Sequence, residues 1–166
     1  MKLSLWLTAI VFHAIIMVQA QTNLVMPADE MALQSLIINF NNAFNAHDTK
    51  KFAAAFAEDA DFTNWMGVSA HGRTQIEVFH IPVLTVMYKN AVQKVVASSI
   101  RFIKPDVAEI DVRVEVVGGK TPDGNDAPLL KFMLNWTATK ERGQWLIKVM
   151  HNARLPDMNN DIPGKK

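Results

Sequence analysis

Cysteine is absent from all 166 residues. Its absence excludes disulfides, thiolate zinc sites, a catalytic thiol and a lipid-modified cysteine behind a leader. Glycine and proline number only 7 each, and no low-complexity tract exists. Neither charge dominates: 17 Lys and Arg stand against 16 Asp and Glu, a formal net charge of +1, with no block of like sign. Steering toward nucleic acid or an anionic membrane has no support in that composition. Missing too are the phosphate cradles, a GxGxxG after a strand or a P-loop, and the HExxH and EF-hand patterns that hold metals. Gly118-Gly119 falls in a predicted hairpin with no helix behind it, and Ser98-Ser99 lacks a nucleophile elbow. Asn135-Trp136-Thr137 matches a glycosylation triplet but sits inside a predicted strand. The expectation is no cofactor and no bound metal.

What is present begins with a leader. Lys2 supplies a positive start, Leu3 to Val18 is apolar apart from Ser4, Thr8 and His13, and Val18-Gln19-Ala20 ends in a small residue. This pattern predicts a signal peptide over residues 1–20, cleaved after Ala20. The alternative is an uncleaved anchor. The apolar stretch is short for a bilayer span of about 20 residues, and polar residues follow it, which favours cleavage. A secreted or periplasmic protein is expected, with no stable membrane anchor once the leader is gone. Residues 21–155 suffice for one domain with its own core, and the polar tail 156–166 is expected to be loose.

Leu33, Leu36, Ile37, Phe40 and Phe44 recur at helical spacing between Pro27 and His47. Asp48 is placed to cap a short second helix that buries Phe52 and Phe56. Ala60, Phe62, Asn64 and Met66 alternate with Asp61, Thr63 and Trp65 as a short strand, and 67–72 reads as a loop. A third helix starts near Arg73 and carries Ile76, Phe79, His80, Val83, Leu84 and Met87 on one side. Pro82 inside that pattern predicts a kink or an early end. From Lys94 onward the pattern changes to period two, clearest where Ala108, Ile110, Val112, Val114 and Val116 alternate with Glu109, Asp111, Arg113 and Glu115. Leu130 to Ala138 and Trp145 to His151 complete the sheet. Helix, helix, strand, helix and then long antiparallel strands make an α+β fold, a curved sheet wrapped around helices.

Two histidines occupy positions that the pattern assigns to the interior: His80 on the third helix and His151 on the Trp145-Ile147-Val149 face. As a half-buried pair they could serve as acid and base; each is equally readable as a core histidine bonded to backbone. Asn64 shares the face of Phe62, so it reads either as a cavity-lining amide or as a brace for the 67–72 loop. Arg73 is expected to brace that loop, through carbonyls or through Asp59 or Asp61. Trp65, Trp136, Trp145 and Phe62 belong to an aromatic pool that is mainly core and in part suited to a flat apolar ligand.

Asp59-Ala60-Asp61-Phe62-Thr63-Asn64, Gly67, Gly72-Arg73, Ile76 and His80 resemble the signature of SnoaL-like proteins, more narrowly the SgcJ/EcaC group of the nuclear-transport-factor-2-like superfamily. Phe102 to Ala108, Gly143 to Ile147 and His151-Asn152 are similar to later strands of that group. The resemblance spans about residues 29–154. It implies a cone-shaped, cystatin-like barrel, commonly a homodimer, with a pocket between helices and concave sheet. Carried over by position, Asn64, His80, His151 and Asn152 match recurrent polar positions. Since His151 and Asn152 alternate, only one of them faces a cavity unless the strand bends. Ser69-Ala70-His71 departs from the group, and no inward aspartate base is found. The group's oxidoreductase label finds no flavin or nicotinamide site here.

These readings lead to a small-molecule-binding protein, enzymatic or not. As an enzyme it would be a cofactor-independent isomerase, cyclase or dehydratase using His80 or His151, with Asn64, Trp65, Phe62, Asn152 and Trp136 around the ligand. The alternative is a non-catalytic dimeric binding or assembly module with a structural cavity.

Overall fold

The apolar spacing of the first segment becomes the buried face of α1 (Pro27–Asn45), where Leu33, Leu36, Ile37, Phe40 and Phe44 are all buried. The computed structural model describes residues 27–121 and 123–156, so the predicted signal peptide and the tail beyond 156 lie outside the described residues. Asp48 caps α2 (Thr49–Ala54) by accepting the Lys51 N–H at 2.9 Å. That helix is shorter than expected. Phe56 already opens β1 (Phe56–Thr63), because the Ala55 carbonyl takes the Ile147 N–H at 2.9 Å and draws the chain into the sheet. The expected 67–72 loop contains a short edge strand, β2 (Ser69–His71), paired antiparallel to β1.

Helix α3 (Arg73–Pro82) ends at the proline, as a residue without an amide N–H requires. The chain then widens into a π-helical turn, Val83–Met87, closed by Tyr88 N–H to the Val83 carbonyl at 2.8 Å. Four long strands follow: β3 (Val92–Lys104), β4 (Val107–Val117), β5 (Leu130–Glu141) and β6 (Gln144–Arg154). The sheet has six strands in the order β2-β1-β6-β5-β4-β3, antiparallel except where β1 runs parallel to β6. It is curved and unclosed, with the helices on its concave side, an α+β architecture. Trp136, Phe56, Phe62, Ile76, Ile110, Ile147 and Met150 are fully buried between the layers. Among the described residues no helix is long and apolar enough to cross a membrane.

One irregularity decides which side chains face inward. Along β6, Ile147 pairs with Ala138 and Val149 pairs with Thr137, so Lys148 is an extra residue and the register shifts there. Before that bulge Trp145 and Ile147 point into the core; beyond it the inward residues are Met150 and Asn152. The strict alternation expected from Trp145 to His151 is therefore broken, and His151 lies on the exposed outer face.

Between β4 and β5 the chain folds back over the helices. Lys120 N–H reaches the Met87 carbonyl at 2.9 Å, and the Gly119 carbonyl accepts Ala127 N–H at 2.9 Å. A Cβ on Gly119 would stand 2.7 Å from the Tyr88 ring, and one on Gly118, at φ +79°, would stand 2.7 Å from the Asn90 carbonyl. Only glycine lets this hairpin lie against the end of the π turn.

Candidate functional site

His80 is positioned by α3, four residues after Ile76, and is only 5% exposed. Its Nδ1 lies 2.7 Å from the Ile76 carbonyl. A carbonyl only accepts, so Nδ1 carries the proton and the neutral ring keeps its lone pair on Nε2. Burial among Phe52, Phe62 and Phe79, with ring centroids 4.3, 4.8 and 5.0 Å away, pushes the imidazolium pKa down to about 4. The bond to Ile76 opposes that shift without overcoming it. At neutral pH His80 is thus an uncharged acceptor.

Two buried polar atoms of the sheet, besides the His47 Nδ1 between the first two helices, have no hydrogen-bond partner among the described residues. They are the Trp136 indole N–H and the Asn152 side-chain oxygen, both buried. Trp136 sits deep, 1% exposed, beneath the Phe40 ring at 4.9 Å. Asn152 is nearer the edge, two residues from Arg154 on the same face of β6. At that edge the Arg154 guanidinium lies over the Trp65 ring, 5.6 Å from its centroid, and its charge is felt by the Tyr88 hydroxyl. Phe79, Val83, Tyr88 and Leu130 are half-buried against the core. Phe62 and His80 lie within that core, 1% and 5% exposed.

Other predicted residues take different places. Asn64 does not line the interior: its Oδ1 accepts Met66 and Val68 N–H groups, both at 2.9 Å, and shapes the β1–β2 turn. This is the bracing alternative, and it arises because β1 ends at Thr63. Arg73 holds the start of β1 rather than the 67–72 loop, donating from Nε to the Phe56 carbonyl at 2.8 Å, with Glu58 at 3.8 Å; Asp59 pairs with Lys148 and Asp61 with His71 instead. His151 shares an open outer groove of about 460 Å³ with Asp61, Thr63, Ser69, His71, Gln75 and Val149. In it Asp61 and His71 are 2.7 Å apart, and the Thr63 and Ser69 hydroxyls 3.0 Å apart. His80 and His151 thus lie on opposite faces of the sheet and cannot meet on one ligand. Arg154 and Tyr88, by contrast, are not singled out by pattern. Arg154 continues the post-bulge face, which only the bulge reveals, and Tyr88 is brought in by the π turn.

The fold places the chain in a known company. An uncharacterised cystatin-like-fold protein from Caulobacter vibrioides superposes with a TM-score of 0.73 at 30% identity, over 80% of this chain and 94% of that one. Two further structures share the fold at 17% identity. Hexachlorocyclohexane dehydrochlorinase (LinA) type 2 superposes at 0.68 over 83% of this chain and 96% of its own. A scytalone-dehydratase-like protein from Novosphingobium aromaticivorans does so at 0.68 over 78% and 85%. No protein-family profile and no curated protein matches the sequence. The structure defines an α+β fold, a curved and unclosed six-stranded sheet with helices on one side. The chain belongs to the cystatin-like proteins of the nuclear-transport-factor-2-like superfamily, in agreement with its SnoaL-like motifs.

Proposed function

We propose that this is an exported small-molecule-binding protein that takes a small, partly apolar ligand at the open end of the cone and acts on it by cofactor-independent proton transfer. The observation that carries the reading is a pair of buried polar atoms without partners, the Trp136 N–H and the Asn152 oxygen, in a core that also holds the neutral His80. A buried polar atom without a partner costs about 1–3 kcal/mol, so a ligand that supplies partners gains what the free protein lacks. In this role His80 Nε2 takes a proton from the substrate and returns it, Asn152 orients a ligand donor, and the apolar core excludes water. Isomerisation, cyclisation and dehydration need no more than this. The dehydratase-like and dehydrochlorinase neighbours of the same fold, whose named reactions are eliminations, support that class.

The test is a melting-temperature screen of the mature domain against small steroids, polyketides, aromatic acids and lactones, followed by turnover with His80→Ala. A ligand at about 100 times its Kd adds about 2.7 kcal/mol, a rise of several degrees for a domain of this size. One observation favours the non-catalytic alternative, namely the tight closure of the core over Trp136 and His80. On that reading the screen is silent and His80→Ala lowers stability only. The homodimer belongs to the same proposal, and sedimentation equilibrium tests it directly.

A further inference from the structure

The next inference rests on the ligand site proposed above and names the ligand's chemistry. We propose that the ligand is a carboxylic acid on an aromatic or alicyclic body, its carboxylate received by Arg154 and Tyr88.

Arg154 is fixed by the post-bulge register of β6, opposite Phe132. Arg73, Arg101, Lys140 and Lys148 each have a carboxylate within ion-pair reach, but Arg154 has none among the described residues. Instead its guanidinium lies over the Trp65 ring, 5.6 Å from the centroid. A cation held by a ring face rather than by a carboxylate keeps N–H groups to spare, and a carboxylate grips such a fork with two parallel hydrogen bonds. The Tyr88 ring is seated by the close approach of Gly119. Burial keeps that phenol protonated, so it remains a donor. The exposed Trp65 ring beneath the cation offers a flat apolar surface for a ring, and Phe79, Val83 and Leu130 are further half-buried apolar side chains of the domain. The Asn152 oxygen is an acceptor that a ring hydroxyl would satisfy.

The experiment uses isothermal titration of the mature protein with benzoate, 2-naphthoate and 1-hydroxy-2-naphthoate, each against its neutral carboxamide. Wild type, Arg154→Gln and Arg154→Lys are compared. Arg154 is exposed, so these variants keep the fold. The expected result is that at least one acid binds more tightly than its amide by about tenfold or more, and that Arg154→Gln removes the difference. Arg154→Lys should restore part of it, since a point charge replaces a fork, and added salt should weaken the acid alone. Amides that bind as well as their acids, or acids indifferent to Arg154→Gln, overturn the carboxylate proposal while leaving the ligand site standing. Silence of every acid and amide, in a protein that also fails the wider ligand screen, overturns the site reading itself.

Discussion

Asn45 holds Gln93 as a neighbouring strand would. Its side-chain oxygen accepts the Gln93 N–H at 2.7 Å and its amide donates to the Gln93 carbonyl at 2.9 Å. Asn41 adds a bond from the Gln93 side chain at 3.1 Å. The C-terminal half of α1 is thereby fastened to the start of β3, at an edge where no seventh strand exists. Replacing Asn45 by Ala removes both backbone bonds and leaves half-buried groups unpaired. The expected loss is roughly 2 kcal/mol, read as a lower urea midpoint with unchanged m-value.

Acid should weaken the protein in two separable windows. His80 has a folded pKa of about 4 against an ordinary 6.5, so between these values the unfolded chain binds a proton that the folded one refuses. Stability is complete above 6.5 and falls as pH drops toward 4, by roughly 3 kcal/mol in all. The carboxylates of Asp29, Asp48 and Asp59 are held below 3.8 by hydrogen bonds, so their contribution is lost only at lower pH. In His80→Gln the first window should flatten while the second remains. Denaturant titrations at half-unit pH steps would separate them.

Asn152→Leu should gain stability and lose ligand. The substitution removes a buried oxygen with no partner and extends an apolar face, for a gain of about 1 kcal/mol. An Asn152→Leu variant that melts lower than wild type would contradict the view that this oxygen waits for a ligand.

Gly118→Ala should be more damaging than its size suggests. The new methyl meets the Asn90 carbonyl, a backbone group that cannot swing aside, at a positive φ that alanine resists. A loss of at least about 1–2 kcal/mol is expected in thermal denaturation.

The two histidines should part company in activity. Once a substrate is found, His80→Ala abolishes turnover, whereas His151→Ala leaves kcat and stability near wild type, because that ring is exposed on the far face. Equal loss in both variants would point instead to chemistry in the outer groove.

Much of the architecture is legible in the sequence because it rests on repeating contrasts. The 3.6-residue stripe of α1, the cap at Asp48, the interruption at Pro82 and the period-two run of β4 each have a local cause. What escapes the pattern depends on partners remote in the chain. Asn41 and Asn45 read only as weak helix formers, since Gln93 lies 48 residues from Asn45. Asn64 is ambiguous because a strand's last residue and a turn's first look alike in a pattern. His151 is misplaced by strict alternation because one inserted residue leaves no mark in composition. The roles of Gly118 and Gly119 become visible only with the hairpin folded against Tyr88.

The insertion at Lys148 has an evolutionary corollary. Ile147 and Met150 anchor the strand on either side of it, and both point into the core. Loss of the single codon for Lys148 would leave Val149 opposite Thr137 and Met150 opposite Trp136, so Asn152 and Arg154 would keep the concave side and His151 the outer face. The cone can therefore shed this residue without being relined, whereas a deletion that left the bulge in place and fell between Met150 and His151 would exchange the two faces of everything after it.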